Sequence, residues 1–231
     1  MKSLIGLLLL PLALVALPVT AEDDCSEPPV AVTSVRLFDG ESVIPKATVV
    51  TRCTTIWRVV DGSKSPELPA DAVTIDGGGM TLMPGLIDTH THTFSLPMLT
   101  RPLDFGVTTV MDMGSTNREF AGSIKAQDAK GPARDRADLY SAVLWVTAPG
   151  SHGTQWAEVP TLVEPEDAAA FVAARVDEGA DYIKLIYDNF KMFDADIPTL
   201  RKETMEAVVD AAHARGKMAV VHSRDVEAWD D

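Results

Sequence analysis

Basic residues are scarce in this sequence, and their scarcity argues against one class of partner. The 231 residues include 20 Lys and Arg against 34 Asp and Glu, which gives a formal net charge of -14. Proteins that bind nucleic acid present a positively charged surface to the phosphates. We therefore expect no nucleic-acid partner and look to small molecules or peptides instead. The composition, 46% hydrophobic and 23% charged, is that of a globular protein rather than a disordered or fibrous chain.

Long apolar runs are missing after the first 21 residues. Lys2 precedes an almost purely apolar stretch, residues 4–19, and the small residues Thr20 and Ala21 follow it. This arrangement is typical of a secretory signal peptide, residues 1–21, cleaved after Ala21. A membrane anchor is the alternative, but a stretch of about 16 residues is shorter than the ~20 that span a bilayer. We expect an exported protein, periplasmic or secreted, without a stable membrane anchor.

Cysteine is also rare, since Cys25 and Cys53 are the only two in the chain. An exported chain can join them in a disulfide because the compartment is oxidising. Two unpaired thiols are the alternative. The sequence leaves both open, since it carries no information on the distance between the two residues.

Residues 22–82 show no helical periodicity. Short β-branched runs, such as residues 47–52 and 55–60, are separated by turn signals at Asp39-Gly40 and at residues 77–79. Such runs bounded by glycines are typical of strands joined by turns. This part of the chain is predicted to form a small antiparallel β unit.

From residue 83 onward, strand-like and helix-like segments alternate. The strand segments are apolar on both faces, which is typical of a parallel sheet covered by helices. They cover residues 86–92, 107–113, 139–146, 182–187 and 218–223. Helices are predicted over residues 116–130, 164–178 and 199–215. Thr116 and Glu119 match a capping box at the start of the first helix, and Gly179 and Gly216 end the other two. The predicted fold class is α/β.

Two of only five histidines stand two residues apart in the segment MPGLIDTHTH, residues 83–92. On a strand, His90 and His92 would point to the same face, with α-carbons about 6.6 Å apart. Two imidazoles at that spacing can bind one cation at about 2.0–2.1 Å per nitrogen. Two strand histidines satisfied by ordinary hydrogen bonds are the alternative. Asp88 shares their face, and we expect it to orient a ligand rather than to bind metal.

Two more polar residues interrupt apolar strands. Lys184 lies in the middle of YIKLIY, where a buried ammonium is costly unless it is paired or modified. The alternative is an edge strand whose lysine reaches water. His222 ends the run KMAVVHS, and the carboxyl ends of barrel strands carry active sites. A capping or surface histidine is the alternative there.

These motifs together resemble the amidohydrolase superfamily. PGLIDTHTH resembles its first barrel strand, GVTTVMDMG its second, GADYIKLIYDN its fourth and HARGKMAVVHS its fifth, while VRLFDG and VTIDGGGMTLMPGLID resemble the start of its small β-sandwich. The branch that the sequence resembles most is the imidazolonepropionase-like and Xaa-Pro dipeptidase-like one. The resemblance implies part of a TIM-type (β/α)8 barrel over residues 83–231, with about five of the eight strands. The N-terminal part of a small β-sandwich would precede it over residues 22–82.

The resemblance also implies a metal site and a reaction. His90 and His92 would bind a divalent metal, expected to be zinc and present as one or two ions. Lys184 would carry a carboxylate added from carbon dioxide and bridge to a second ion, which His222 would help to hold. A metal-activated water would then hydrolyse amide C–N bonds, with dipeptides or related acyl-amino compounds as substrates. His152, in the loop APGSHGTQW, is expected to contact substrate, whereas His213, at a predicted helix end, is expected to be structural.

The sequence departs from the family pattern in its last part. The family takes a further histidine from its sixth strand and a proton-transferring aspartate from its eighth, whereas this sequence ends at Asp231, so the catalytic acid–base residue stays unknown. The segment TRCTTIW also lacks the usual glycine turn of the sandwich. We therefore expect a fragment or truncated product that shows no hydrolysis by itself. The alternative function is a non-catalytic remnant that keeps a partial metal site and associates through an open sheet edge, including with a second copy of itself.

Overall fold

The computed structural model describes residues 26–62 and 67–224. The predicted signal peptide, Cys25 and the last seven residues lie outside this part of the chain. The chain divides after Met83 into two compact units. Cys53 is disulfide-bonded, but the pairing with Cys25 stays a prediction because Cys25 is not among the described residues. No helix in the described ranges combines the length and the apolar character that a membrane span requires.

The first unit is a five-stranded sheet in the order β3-β2-β1-β4, with β5 also paired to β1. Its strands are β1 Val30–Phe38, β2 Val43–Arg52, β3 Thr55–Asp61, β4 Val73–Asp76 and β5 Thr81–Leu82. The β1–β2 turn closes on Asp39, whose carboxylate accepts hydrogen bonds from the backbone N–H groups of Glu41 and Ser42. The side chains of Val35, Leu37, Ala47 and Val49 form a small apolar core.

The prediction of an antiparallel unit is correct for only part of this sheet. β1–β2 and β2–β3 are antiparallel, but β4 and β5 run parallel to β1. Two strands joined by a tight turn must be antiparallel, whereas a connection of about a dozen residues can cross the sheet. The chain between Asp61 and Val73 is long enough for such a crossing, and the local turn signals do not reveal it.

The second unit alternates strands and helices, which confirms the predicted α/β class. Its strands are β6 Leu86–Thr91, β7 Val107–Asp112, β8 Asp138–Ser141, β9 Ile183–Ile186 and β10 Ala219–His222. Its α-helices are α1 Pro97–Leu103, α2 Arg118–Asp128, α3 Ala168–Asp177 and α4 Lys202–His213, with 3₁₀ turns at Pro165–Asp167 and Lys191–Phe193. The strand pairs among the described residues of this unit are all parallel.

These five strands form two sheets, β6-β7-β8 and β9-β10, rather than a closed barrel within the described residues. The chain beyond β8 continues beside β9, because Val146 makes a parallel bridge with Leu185. The Val146 N–H donates to the Lys184 carbonyl at 2.7 Å and the Ile186 N–H donates to the Val146 carbonyl at 2.9 Å. β9 therefore has backbone partners on both sides, which places Lys184 in the interior of the unit.

Apolar side chains of α3, α4 and β9 form the main core. Its fully buried members include Val146, Val172, Ile183, Leu185 and Val208. Gly179, with φ of +96°, follows the last turn of α3 and ends that helix as expected. Because β9 and β10 pack against the helices through this core, the core fixes the positions of their carboxyl ends.

Two helix predictions need correction. α2 begins at Arg118 rather than at Thr116, and its N-cap is Asn117, whose side-chain oxygen accepts the Phe120 N–H at 3.1 Å. Asn is at least as good an N-cap as Thr, so the predicted capping box was wrong. Helix α1 was not predicted, because its two prolines, Pro97 and Pro102, mask a short helical segment.

Candidate functional site

His92 lies just beyond β6 and is held in one tautomer by the main chain. Its Nδ1 lies 2.8 Å from the Gly114 carbonyl oxygen. A carbonyl can only accept, so Nδ1 carries a proton, and in the neutral form of the ring the lone pair is on Nε2. A histidine oriented through one nitrogen in this way is typical of metal ligands, whose second nitrogen usually donates to a carbonyl or carboxylate.

His90 lies on β6 with its ring edge-on to His92, at a centroid separation of 5.7 Å. Burial lowers the pKa of His90, and the neighbouring Lys184 and His92 lower it further. The imidazole is therefore neutral at pH 7 and able to bind a cation. Asp88 accepts the backbone N–H of His90 at 3.1 Å, so the described contact of this carboxylate is with the strand backbone rather than with a histidine ring.

Lys184 is the most unusual residue of the site. It is 3% exposed, and its Nζ is buried without a hydrogen-bond partner among the described residues. Desolvation lowers its pKa from 10.5 to about 8. The alternative of an edge lysine that reaches water is excluded, because β9 is paired on both sides. A buried amine with no acceptor lowers the stability of the fold unless it is chemically modified or bound by a ligand.

His222 ends β10 and is held by Asp188, a residue that was not predicted from the sequence. Its Nε2 lies 3.1 Å from Asp188 Oδ2, and the Asp188 side chain is fully buried. Burial, followed by His152 and Lys184, lowers the pKa of His222 to about 4. The ring is thus neutral, with Nε2–H donating to the carboxylate and Nδ1 free to bind a cation.

Asp188 also anchors Arg224. The Arg224 Nε donates to Asp188 Oδ2 at 2.6 Å, and the Phe190 N–H donates to Oδ1 at 2.9 Å. Burial raises the pKa of Asp188, but these hydrogen bonds and the charge of Arg224 outweigh it, and the pKa is lowered overall. An aspartate directly after an apolar strand, in IKLIYD, is the signal that could have revealed it.

His152 lies in the loop after β8 and meets the other site residues. Its ring is 5.0 Å from that of His222 and 4.8 Å from that of Trp156, between centroids. The Gly153 N–H donates to Gln155 Oε1 at 2.7 Å, so the amide of Gln155 presents its Nε2 to His152 Nδ1 at 2.9 Å. Nδ1 therefore accepts, and Nε2 of His152 carries a proton that can be donated to a ligand.

Electrostatic interactions connect the predicted site residues with one another. They link His90 to Lys184, Lys184 to His222, His222 to His152, and His152 to His92. His213, in contrast, ends α4 as expected for a structural residue. Within the described ranges, however, no three His, Cys, Asp or Glu side chains converge on a single point as a ready metal cage.

Solved structures of other proteins have a similar fold. No protein-family model matches the chain, and no curated protein matches it either. Among solved structures, a prolidase in complex with N-methylphosphonate-L-proline is 20% identical with a TM-score of 0.70, and the match covers 87% of this chain and 57% of that one. An amidohydrolase gives 20% identity, a TM-score of 0.69 and coverages of 87% and 57%. A Xaa-Pro dipeptidase with bound methionine is 21% identical with a TM-score of 0.67, and the match covers 87% of this chain and 58% of that one.

The described residues therefore share the fold of these prolidase, amidohydrolase and dipeptidase structures, which is the fold that the sequence motifs predicted. The chain spans less than three-fifths of the length of these solved structures. At such identities the likeness establishes the fold and leaves the activity to be argued from the site.

Proposed function

We propose that this protein is a metal-dependent hydrolase of amide C–N bonds in dipeptides or related acyl-amino compounds. The observation that carries the proposal is the buried Nζ of Lys184, unpartnered among the described residues, beside the neutral imidazoles of His90 and His222. The similarity in fold to a prolidase and to a Xaa-Pro dipeptidase supports the same class of reaction.

The first step concerns Lys184 itself. The neutral amine attacks the carbon of carbon dioxide, an N–C bond forms, and one amine proton is lost to solvent, which leaves a carbamate anion. The lowered pKa favours this reaction, because only the uncharged amine is nucleophilic. An expensive buried cation would thereby become an anionic oxygen donor that interacts electrostatically with His90 and His222.

The donor set then fits a divalent cation of the zinc type. His90, His92 and His222 would supply imidazole nitrogens, and carboxylated Lys184 would supply oxygen, a mixture that zinc accepts. One or two ions are expected. When bound, such an ion supplies a water with a pKa of about 7 and polarises an amide carbonyl.

The remaining residues are suited to hold the amino-acid part of the substrate. Arg224 keeps a buried Nη2 that has no partner among the described residues, although Asp188 binds its Nε. The proton on His152 Nε2 faces no described acceptor and can also be donated. A substrate carboxylate would satisfy both groups, since guanidinium and carboxylate form strong charge-assisted hydrogen bonds.

The test measures metal and carbamate rather than turnover. Purified protein is titrated with Zn²⁺ calorimetrically, with and without ¹³C-bicarbonate, and the carbamate carbon is followed by NMR. We expect bicarbonate to tighten zinc binding and a carbamate signal that Lys184→Ala abolishes. A short acid such as propionate should restore part of the binding in Lys184→Ala, and the exposed Lys130→Ala serves as the matched control. Zinc binding that is indifferent to Lys184 would contradict the proposal.

A second candidate rests on the strand edges. β6 and β10 are edge strands of their sheets, and Leu86 and Ile87 on β6 are 50% and 58% exposed. Open edges with apolar side chains favour association with another chain. A remnant with a partial metal site would then act as a binding protein or homo-oligomer. Light scattering after size exclusion, combined with an assay for hydrolysis in zinc and bicarbonate, separates the two candidates.

Export is part of the proposal. It rests on the sequence features of residues 1–21, which lie outside the described residues. The disulfide at Cys53 suits an oxidising compartment.

A further inference from the structure

A concave pocket of about 460 Å³ includes His92, but its aromatic side chains have no role in the proposed chemistry. It is lined by His92, Phe94, Trp145, Trp156 and the turn of residues 114–117. We call it the aromatic pocket. His152 and Arg224, the groups suited to a carboxylate, do not line it, so it serves a different part of any ligand.

Two glycines fix one wall of the aromatic pocket. Gly114 and Gly153 adopt φ of +113° and +97°, and a Cβ on either would lie 2.7 Å from Trp145 Cε3 or 2.3 Å from Trp145 Nε1. The indole is therefore packed between two glycine backbones that only glycine allows. Trp145 is 5% exposed. This wall is rigid and present before any ligand arrives.

The other walls are aromatic and largely open to solvent. Trp156 is 64% exposed and Phe94 is 55% exposed. Trp156 stands at 87° to Trp145, with 6.4 Å between ring centroids, and it also contacts His152. Asn117 holds Phe94 in place, because its side-chain amide donates to the Phe94 carbonyl at 3.2 Å. Exposed aromatic rings around a concavity are typical of a binding site for an apolar group.

We propose that the aromatic pocket binds a flat apolar or aromatic group on the acyl part of the substrate. The inference rests on the proposed function for its orientation: His92 belongs to the metal-binding set, so a group in the pocket is attached close to the scissile carbonyl. The carboxylate-bearing part points instead to Arg224 and His152. Phe94, Trp145 and Trp156 are then the specificity-determining residues, and the preferred substrates are aromatic acyl-amino acids or dipeptides with an aromatic first residue.

The test compares two probes that differ only in a phenyl ring, N-(phenylacetyl)glycine and N-acetylglycine. Binding of each to the purified protein is measured by calorimetry or ligand-observed NMR, without added metal and then with zinc and bicarbonate. We expect the phenyl probe to bind at least about tenfold more tightly, as burial of one ring in an aromatic pocket implies. Trp156→Ala should reduce the preference below about threefold.

A matched control and a second variant keep the test decisive. Trp57→Ala removes an exposed tryptophan of the first unit and should leave the preference unchanged. Phe94→Ala, also at an exposed position, should weaken the preference as Trp156→Ala does. Equal binding of the two probes, or a preference that survives both Trp156→Ala and Phe94→Ala, would overturn the proposal.

The outcome is separable from that of the proposed function. If zinc binds and a carbamate forms on Lys184, but the two probes bind with equal affinity, the pocket proposal fails and the hydrolase proposal stands. If the preference is found but Lys184 forms no carbamate, the proposed chemistry fails and the pocket is a binding site with another purpose.

Discussion

Replacing Lys184 with methionine should make the metal-free protein more stable, although it removes a residue at the centre of the site. Methionine has a similar unbranched shape and needs no hydrogen-bond partner. The ammonium that it replaces is 3% exposed and has no partner among the described residues. The free energy of unfolding at pH 7 should therefore rise in Lys184→Met.

The magnitude follows from the pKa of Lys184, which falls from 10.5 in the open chain to about 8 in the fold. At about 1.36 kcal/mol per pKa unit, charging this lysine costs the folded state about 3 kcal/mol at pH 7. Between pH 8 and 10.5 the unfolded chain binds more protons than the native one, so the stability of the unmodified protein rises with pH there. The gain in unfolding free energy of Lys184→Met over the unmodified protein should thus be largest below pH 8 and vanish above pH 10.5.

The assay is urea unfolding of both proteins from pH 6.5 to 10.5, in buffer free of metal and carbon dioxide. Lys130→Met, at an exposed position, is the control and should change stability by less than about 0.5 kcal/mol. Adding bicarbonate and zinc should stabilise the unmodified protein and leave Lys184→Met unchanged. A Lys184→Met protein that is less stable than its parent at pH 7, or whose difference from it is the same at every pH, would refute the reasoning.

Three further outcomes are expected. His92→Ala should lose zinc in elemental analysis of protein loaded with bicarbonate, whereas His213→Ala should keep it; equal metal content would make His92 structural. Gly114→Ala should lower the free energy of unfolding in urea by about 1–3 kcal/mol, because of the positive φ at this position and its contact with Trp145. The control Gly122→Ala, in α2 with open space around it, should leave the free energy of unfolding unchanged or raise it by up to about 1 kcal/mol. The exported protein should begin at Glu22 by intact mass, and a secreted chain that keeps Met1 would contradict the predicted cleavage.

The residues visible from sequence were those that violated a local pattern. Lys184 stood out because a charge interrupted an apolar strand, and His90 and His92 because two scarce histidines shared one strand face. Alternation of strands and helices was equally local, so the α/β class could be predicted. These signals need no knowledge of which segments meet in space.

What could not be predicted depends on contacts between distant segments. Asp188 is an ordinary acidic residue until the fold brings His222 and Arg224 to it, 34 and 36 residues further along the chain. The parallel pairing of β4 with β1 depends on a crossing that no turn signal encodes. The aromatic pocket joins residues from the segments that follow β6, β7 and β8, and Phe94, Trp145 and Trp156 are not unusual in their own segments.

Gly114 contacts both His92 and Trp145, and this double contact limits how the site can evolve. Its carbonyl sets the proton position on His92, and its missing side chain makes room for the Trp145 ring. A mutation there would disturb His92 and the pocket wall together, so neither could change separately through this residue. Adaptation to a new acyl group would have to proceed through Trp156 or Phe94, whose exposed rings can change size without moving His92. Laboratory evolution for altered substrates should accordingly accumulate changes at those two positions and leave position 114 untouched.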